Sequence, residues 1–376
     1  MANILISGGA GFIGSHLALK LLKKGHQITV LDNLSPQIHL NANQSGLYKS
    51  IKDKVTFIKG DVRIKEDWIK SIKKNDIIVH LAAETGTGQS MYELQKYVDV
   101  NSLGTAVMLD VLSNIKNKVR KVILASSRSI YGEGKYFCEK NGTIFPGQRT
   151  NKQMSEGKFE ILSPYNMKPL TPLPTDEDSK IHPTSIYGIT KNNQEQLVLA
   201  SCKSLGISAI ALRYQNVYGP GQSLINPYTG ILSIFSTRIL NNNPVYVFED
   251  GMESRDFVFI DDVIDATVLS IEDNIVSSDS FNVGSGESIN ILAVAESLKK
   301  MYHSNIDIKI TGTYRLGDIR HNKADISKIN SCLGYSPKVS FEFGLQKFVN
   351  WVKTQNIELD NYDQSISELK NKGLIK

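Results

Sequence analysis

The chain has 376 residues, with 43 lysines and arginines against 38 aspartates and glutamates and a net charge of +5. Its apolar fraction of 41% and charged fraction of 22% are typical of a globular protein long enough to form two lobes. The lysines are scattered and no apolar run approaches the length of a membrane span, which argues against nucleic-acid and membrane partners.

Short β-branched runs alternate with helical patterns from the N-terminus onwards. The runs at 3–7, 27–31, 55–59, 77–80, 121–125 and 208–213 predict buried strands. Apolar residues at helical spacing predict helices over 12–25, over 89–116 and before the last of these strands. Strands alternating with helices predict an α/β fold, a doubly wound parallel sheet of the Rossmann type.

Three glycines follow the first predicted strand. Gly8, Gly11 and Gly14 in GGAGFIG would let the backbone turn tightly and approach a pyrophosphate at the helix N-terminus, although close strand–helix packing also needs glycine. Asp32, at the end of the second strand, favours the ligand-binding interpretation of these glycines over the packing one. Its carboxylate would accept a ribose 2′-hydroxyl and repel a 2′-phosphate. Since residues 33–35 contain no arginine, we predict NAD rather than NADP.

Further candidates lie where the third and fourth strands end. Asp61-Val62 and Leu81-Ala82-Ala83 occupy the edge at which ligands bind in such sheets, or they pack as ordinary loops. His80 is predicted to be half-buried and hydrogen-bonded. No segment has metal-ligand spacing such as HExxH, so no metal is expected. The three cysteines are odd in number and far apart, which predicts a reducing, cytoplasmic location.

The segment SIYGITK places Tyr187 and Lys191 four residues apart. On a helix these positions share a face, and a cation beside a phenol lowers the phenol's pKa from about 10. A surface tyrosine stacked on a lysine stem is the alternative. The pair alone does not decide between them.

The stretch 132–183 is long for a connection inside a domain and lacks periodicity. It is either an ordered functional cover or a disordered loop, and its FEIL and prolines favour order. Because it joins the fifth strand to the helix of Tyr187, we expect it to cover the substrate.

Seven motifs carry a resemblance to a known family. They are GGAGFIG, VLDN, GDV, HLAA, SSRSIYG, YGITK and RYQNVYGPG, in this order within residues 1–222. Together they resemble the extended short-chain dehydrogenase/reductases, and more narrowly the nucleotide-sugar epimerases and dehydratases. The later GMESRDFVFIDDV, FNVGSG and YRLGD extend the resemblance to about residue 320.

The resemblance implies NAD as a cofactor that stays bound and a nucleoside-diphosphate sugar as substrate. It implies an acid/base tyrosine, Tyr187, assisted by Lys191, which lowers its pKa and binds the nicotinamide ribose, and by Ser127, which bonds the reacting hydroxyl. The predicted cofactor-binding residues are Gly8, Gly11, Phe12, Ile13, Gly14, Asp32, Asn33, Asp61, Val62, Leu81, Ala82, Ala83, Tyr187, Lys191 and Tyr214. The predicted substrate-binding residues are Glu84, Ser127, Asn216, Arg255, Arg315 and Asp318.

Within that set, Arg255 and Arg315 match the family's phosphate arginines, and arginine offers forked donors suited to phosphate. Asn216 matches the diphosphate amide and Asp318 the residue that binds the nucleotide ribose. Taken without the family, Arg255 is a candidate for a surface salt bridge to an adjacent acidic residue, Glu253 or Asp256.

The rest of the chain is expected to form a smaller mixed α/β lobe. The predicted division is an NAD-binding domain over 1–218 plus about 256–284, containing the insert 132–183, and a nucleotide-sugar lobe over 219–255 and 285–376. FNVGSG at 281–286 predicts one more strand of the first sheet. Asp261 and Asp262 are predicted to cap a helix beginning at Val263. The resemblance also implies a homodimer, with helices 93–113 and 185–204 forming a four-helix bundle.

Three departures from the family refine the prediction. Gln215 replaces its usual phenylalanine, so local packing or substrate polarity differs. The long insert resembles that of nucleotide-sugar epimerases acting on 6-deoxyhexoses, such as dTDP-L-rhamnose 4-epimerases. The dehydratases place an Asp-Glu pair after the serine of strand five, and here those positions hold Arg128 and Ser129.

Without that carboxylate pair, the predicted reaction is epimerisation at C4 of an NDP-hexose or NDP-6-deoxyhexose, through transient oxidation to a 4-keto sugar, in polysaccharide biosynthesis. Two catalytic alternatives remain: an NAD(P)H-dependent 4-keto-sugar reductase, with Asp32 arguing against NADPH, and an NDP-sugar C2 epimerase. A non-catalytic Rossmann sensor is disfavoured because Ser127, Tyr187 and Lys191 are all present.

Overall fold

The computed structural model describes residues 1–39, 45–226, 228, 230–356 and 360–376. Its strands are β1 Asn3–Ser7, β2 Gln27–Asp32, β3 Thr56–Lys59, β4 Ile77–His80, β5 Lys121–Ser127, β6 Tyr136–Cys138, β7 Gly142–Ile144, β8 Thr171–Pro172, β9 Ser208–Tyr214, β10 Asn216–Tyr218, β11 Val245–Val247, β12 Ser254–Arg255, β13 Phe257–Phe259, β14 Ser278–Val283, β15 Ile289–Asn290 and β16 Ile308–Ile310.

The helices alternate with these strands. They are α1 Phe12–Lys23, α2 Pro36–His39, α3 Gly46–Ile51, α4 Lys65–Ile72, α5 Thr87–Ser90, α6 Leu94–Tyr97, α7 Gly104–Asn114, α8 Asn151–Ser155, α9 Ile186–Leu205, α10 Ile231–Leu240, α11 Ile260–Glu272, α12 Ile291–Met301, α13 Ser327–Leu333, α14 Phe341–Val352 and α15 Tyr362–Asn371. A π-helical segment, Val98–Leu103, precedes α7, and a 3₁₀ turn, Arg128–Tyr131, follows β5.

Seven of the described strands form one parallel sheet, in the order β14-β9-β5-β4-β1-β2-β3. The chain order reverses between β1 and β4, so the loops after these strands diverge and open a crevice at the carboxyl edge. Both faces of the sheet are covered: α1 and α11 pack on one, and α4, α7 and α9 on the other. The doubly wound Rossmann prediction is confirmed.

The predicted strand at 281–286 is part of the sheet, although it begins and ends three residues earlier. Its strand, β14, pairs with β9 at the sheet edge. The apolar cluster around α1 and α11 continues into α10, α12 and α14 without a break. The two predicted lobes therefore share one core, and the proposed division concerns ligand roles rather than independent folding.

The helical pattern predicted over 89–116 is confirmed for most of its length, but it is not one regular helix. The structure has α5, α6, the π-helical segment and α7 in its place. Two close contacts account for the change in winding. Asn101 turns inward to bond Glu84 and Thr190, and Gly104 lies so close to Val62 that a Cβ would stand 2.8 Å from the valine side chain.

The predicted capping role of Asp261 and Asp262 is also wrong. Helix α11 begins at Ile260, and no side chain caps its N-terminus. The buried carboxylate of Asp262 instead accepts the backbone N–H groups of Lys338 (2.9 Å) and Val339 (3.1 Å). Asp261 is exposed and lies 3.7 Å from Lys347. The acidic pair therefore anchors a distant loop and a surface ion pair.

Residues 132–183 form an ordered subdomain. Strands β7, β6 and β8 make a small antiparallel sheet over a core of its own, and α8 lies between β7 and β8 in the chain. None of the described helices is long and apolar enough to cross a membrane. The cysteines at 138, 202 and 332 are all free thiols.

Candidate active site

A single cavity of about 570 Å³ runs along the carboxyl edge of the sheet and into the C-terminal part of the chain. This volume lies within the range of small-molecule sites. Of the predicted cofactor- and substrate-binding residues, Asp61 does not line it and all the others do. The carboxylate of Asp61 is turned to Arg63 at 2.8 and 2.9 Å and to Asn33 at 3.3 Å.

The glycine turn lies at one end of the cavity and has no room for a side chain at Gly8 or Gly14. Gly8 has a φ of +70°, and a Cβ there would lie 2.7 Å from the backbone nitrogen of Ala82. A Cβ on Gly14 would lie 2.5 Å from the carbonyl oxygen of Gly8. Helix α1 begins directly after Gly11, so its unpaired N–H groups face the cavity. The turn fits a pyrophosphate of the kind that NAD carries.

Asp32 closes the side of this turn. One carboxylate oxygen accepts the N–H of Ala10 (2.9 Å) and the other that of Leu34 (2.8 Å). Burial raises the pKa of Asp32, while these two hydrogen bonds and the nearby His39 act in the opposite direction. A carboxylate oxygen has more than one lone-pair site, so Asp32 retains capacity for a ribose hydroxyl.

The predicted triad converges on the middle of the cavity. Ser127 ends β5, while Tyr187 and Lys191 lie one turn apart near the start of α9. The hydroxyl of Ser185 caps that helix by accepting the N–H of Gly188 at 3.1 Å. A Cβ on Gly188 would lie 2.5 Å from the carbonyl oxygen of Ser129, so this helix packs directly against the turn after β5.

Burial governs the ionisation of the tyrosine–lysine pair. The pKa of Tyr187 is raised by burial, and a hydrogen bond with Ser127 and the charge of Arg128 oppose this. Burial lowers the pKa of Lys191 to about 7. Its ammonium donates to the carbonyl oxygen of Ala125 at 2.9 Å and lies 6.0 Å from the centre of the Tyr187 ring. The expectation that Lys191 lowers the phenol pKa therefore omits burial, Ser127 and Arg128, which set it in the structure.

His80 lies beneath this site and is fully buried, not half-buried as predicted. Its two ring nitrogens contact the hydroxyls of Ser7 (2.6 Å) and Thr105 (3.0 Å). Burial lowers its pKa to about 3, with the positive charge of Lys191 as a second cause. It is a neutral structural residue, and the prediction of hydrogen-bonded partners is confirmed.

The substrate end of the cavity is cationic. Without the family resemblance, the sequence suggested that Arg255 pairs with Glu253 or Asp256. In the structure it pairs instead with Asp318 at 2.9 Å. Burial acts to raise the pKa of Asp318, but nearby guanidiniums, led by Arg255 and followed by Arg315, lower it to about 2. The carboxylate is therefore ionised at any working pH.

Sequence analysis missed several residues that line the cavity. Arg128 is one of them, and its place directly after Ser127 was the available signal. Three aromatic residues, Tyr246, Phe248 and Tyr362, line the end near Arg315, and nothing in their local sequence marks them. Gln215, noted for its unusual polarity, also lines the cavity, and its buried side-chain oxygen has no partner among the described residues.

The insert does not cover the substrate cavity. No residue from 132 to 183, all of which the structure describes, lines it. The insert instead packs behind the loop that carries Arg315 and Asp318. Arg320, fully buried in that loop, donates to Glu160 of the insert at 2.9 Å and to Glu249 at 2.8 Å. The prediction of a cover is therefore wrong, and the insert is a support.

Comparison with known proteins agrees with this geometry. The sequence model of the NAD dependent epimerase/dehydratase family matches residues 4–284. A dTDP-L-rhamnose 4-epimerase of Burkholderia thailandensis is 36% identical over 353 residues, 93% of this chain and 94% of that protein.

Solved structures give the same result. The UDP-glucuronic acid 4-epimerase of Bacillus cereus, in complex with UDP-glucuronic acid and NAD, superposes with a TM-score of 0.75 at 29% identity, covering 93% of this chain and 99% of that one. The UDP-glucose 4-epimerase of Thermotoga maritima, with UDP-glucose, has the same TM-score and identity and covers 93% and 98%.

Proposed function

The chain belongs to the NAD dependent epimerase/dehydratase family, and on that premise we propose that it is an NAD-dependent nucleotide-sugar 4-epimerase, an isomerase. One observation carries the proposal: a single cavity joins the glycine turn, the Ser127–Tyr187–Lys191 group and the cationic end. A dinucleotide and a nucleotide sugar would meet at Tyr187.

The residues at the glycine end fit NAD. Gly8 and Gly14 let the turn pack tightly on the backbone of Ala82 and of Gly8, so that helix α1 begins facing the cavity, and Asp32 offers a carboxylate for the adenosine ribose. Lys191 is the candidate for the nicotinamide ribose. When bound, NAD supplies the oxidising and reducing equivalents of the reaction.

Tyr187 is the proposed acid/base. Its phenolic oxygen takes the proton from the C4 hydroxyl of the sugar and later returns it. Ser127, which bonds Tyr187, orients that hydroxyl. Arg128 adds a fixed positive charge that favours the phenolate, because a guanidinium stays protonated throughout.

The absence of a carboxylate pair after Ser127 argues for epimerisation. Arg128 and Ser129 cannot act as carboxylate acid and base. A 4-keto sugar formed here has no group at these two positions to remove a proton from carbon. Reduction on the opposite face inverts C4 and needs no net oxidant.

We further propose a 6-deoxyhexose attached to a nucleoside diphosphate, because the B. thailandensis relative is a dTDP-L-rhamnose 4-epimerase. Such a product would serve as a precursor for polysaccharide synthesis in the cytoplasm. The three free cysteines support a reducing compartment.

A homodimer is also proposed. Leu94, Val98, Leu103 and Ile189 are each 46–49% exposed, on the neighbouring α6, π-helical segment and α9. Such a group of exposed apolar side chains is typical of an interface, and a second copy of the chain would bury it.

The reaction is tested by offering dTDP- and UDP-sugars to the purified protein in D2O and following them by NMR. We expect two sugars that differ at C4 to interconvert, with no deuterium at C3, C4 or C5 and no added reductant consumed. Deuterium at C5, or a stable 4-keto-6-deoxy product, would contradict the epimerase. Stoichiometric consumption of NADH would identify the reductase instead.

A further inference from the structure

Three arginines line the substrate end of the cavity, and they differ in how many of their donors the protein already uses. Both terminal nitrogens of Arg255 are engaged: one donates to the carbonyl oxygens of Ser254 and Arg320, the other to Asp318 and to the carbonyl oxygen of Ile319, all at 2.8–3.0 Å. Four of its five N–H groups are therefore committed to the protein. Arg255 is 6% exposed and functions first as an anchor for this loop.

Arg128 has the opposite pattern. Its Nε atom donates to the side-chain oxygen of Asn216 at 3.0 Å. Its two terminal nitrogens have no hydrogen-bond partner among residues 1–39, 45–226, 228, 230–356 and 360–376. The guanidinium lines the cavity and is held at its base by a single bond. Four N–H donors thus remain for a ligand.

The same bond fixes the orientation of Asn216. A guanidinium can only donate, so the atom of Asn216 that faces it must be the amide oxygen. The amide nitrogen then points away from Arg128, and it too has no acceptor within the described part of the chain. Asn216 lines the cavity. Arg128 therefore presents this side chain as a donor.

The two residues line the part of the cavity next to the Ser127–Tyr187–Lys191 group. Arg128 directly follows Ser127, and its charge acts on Tyr187, where the sugar reacts. Arg315 lies at the other end, 4.8 Å from the Phe248 ring centre, beside the aromatic residues that suit a nucleobase. A diphosphate spanning these ends would place one phosphate at Arg315 and the other at Arg128.

We propose that Arg128 binds the sugar-side phosphate of the substrate and orients Asn216, already expected at the diphosphate, as a donor beside it. The inference rests on the nucleotide-sugar substrate proposed above. Arg128 contacts the ligand, and through Asn216 it is also a positioning residue.

Electrostatics support the assignment. Burial, and then the neighbouring charge of Arg255, lower the pKa of Arg128 to about 10. A guanidinium in such surroundings with one hydrogen bond is poorly compensated, and the singly charged phosphate on the sugar side of a nucleotide sugar matches both its charge and its forked donors. Binding a phosphate would relieve this cost.

The test compares a nucleoside diphosphate with its monophosphate, neither of which carries a sugar. Calorimetry measures the affinities of wild type and Arg128→Met for dTDP and dTMP. UDP and UMP replace them if wild type binds these more tightly. Charge-assisted hydrogen bonds predict a loss of about 10- to 100-fold for the diphosphate. The monophosphate, which lacks the sugar-side phosphate, should bind unchanged. Arg63→Met, at an exposed arginine outside the cavity, is the matched control and should alter neither.

Asn216→Ala tests the positioning role. This variant should also weaken binding of the diphosphate but not of the monophosphate. In the double variant with Arg128→Met, the fold-loss of diphosphate affinity should be smaller than the product of the two separate fold-losses. Retained NAD binding and a melting temperature no lower than that of wild type establish that each variant is folded. If Arg128→Met does not fold, Arg128→Lys, which keeps the charge but lacks the fork, should show the same selective loss at smaller size.

The proposal is overturned if diphosphate and monophosphate weaken equally, or if only the sugar-bearing substrate weakens while the diphosphate binds as in wild type. Because the probes contain no sugar, this result is independent of which carbon is inverted. Failure of the epimerase assay with intact diphosphate selectivity would reject the reaction and leave the phosphate site standing.

Discussion

Replacing Lys191 with methionine should abolish turnover and yet stabilise the NAD-free protein at pH 7. Lys191 is only 3% exposed, and burial lowers its pKa from 10.5 to about 7. The folded protein therefore favours the neutral amine, while the unfolded chain keeps the ammonium. Between these two pKa values unfolding takes up a proton, so the wild type gains stability as pH rises from 7 towards 10.5 and carries the full penalty below 7.

The magnitude follows from the size of the shift. At about 1.4 kcal/mol for each pKa unit, the penalty near pH 7 is roughly 4 kcal/mol. Methionine removes it but leaves the carbonyl oxygen of Ala125 without its donor, a loss of about 1–3 kcal/mol. The net expectation is a gain of about 2 kcal/mol at pH 7, which shrinks with rising pH and reverses at about pH 9.

Urea unfolding of the NAD-free wild type and Lys191→Met at pH 7, 8 and 9 measures this difference. Lys203→Met is the matched control, since Lys203 lies on the same helix but is exposed, and its effect should not depend on pH. A variant that is less stable than wild type at pH 7, or a difference that is constant with pH, would refute the buried-ammonium argument.

Three further outcomes are expected. Tyr187→Phe should lower kcat by far more than tenfold, which corresponds to a barrier increase above about 1.4 kcal/mol. Calorimetry should find that the variant binds NAD and the NDP-sugar as wild type does. A kcat above a tenth of the wild-type value would show that this phenol is not the acid/base. Wild type should bind NAD in strong preference to NADP and Asp32→Ala should lose that preference, whereas equal binding by wild type would contradict the role of Asp32. Wild type should sediment as a dimer at micromolar concentration, and the double variant Leu94→Asp with Ile189→Asp should sediment as a monomer. Dilution should leave the turnover of the wild type unaffected only if the dimer is tight. A monomeric wild type would contradict the proposed interface.

The strands of the central sheet are predictable because each is encoded locally. A strand that is buried on both faces of a sheet appears in the sequence as a short, continuous run of β-branched and other apolar residues. Each of the six strands first predicted ends within two residues of its observed limit. The glycine turn is similarly local. A Cβ at Gly8 or Gly14 would collide with backbone atoms, so only glycine fits these two positions. The spacing of the glycines in the sequence is therefore enough to predict the turn.

Features that depend on distant partners were not predictable. The helix at 89–116 changes its winding because Asn101 bonds Thr190, 89 residues further on. Asp262 resembles a helix cap in sequence, but its partners are the N–H groups of Lys338 and Val339. Arg255 stands between two acidic residues and pairs instead with Asp318, 63 residues away. Sequence proximity misleads wherever a buried charge takes its partner from another element.

The insert shows most clearly what tertiary structure adds, and it leads to a last prediction. Its position between β5 and α9 suggested a cover over the sugar, whereas the structure places it behind the loop that holds Asp318. Arg320 joins the two through Glu160, Glu249 and Asp250, and its carbonyl oxygen accepts a donor from Arg255.

Arg320→Met would remove the guanidinium that pairs with Glu160, with the half-exposed Asp250 and with the buried Glu249, which keeps its bond from Arg149 at 2.7 Å. Breaking a buried pair costs about 3–5 kcal/mol when one charge is left uncompensated, and the remaining Arg149–Glu249 bond places the expected loss below that range. The melting temperature should therefore fall and the KM for the nucleotide sugar should rise, because the loop with Asp318 loses its support. NAD affinity should be unchanged, since the glycine turn lies at the other end of the cavity. Lys158→Met, at an exposed pair within the insert, should change none of these quantities. An NAD affinity that falls as much as substrate affinity would show that the insert supports the whole fold rather than the substrate loop.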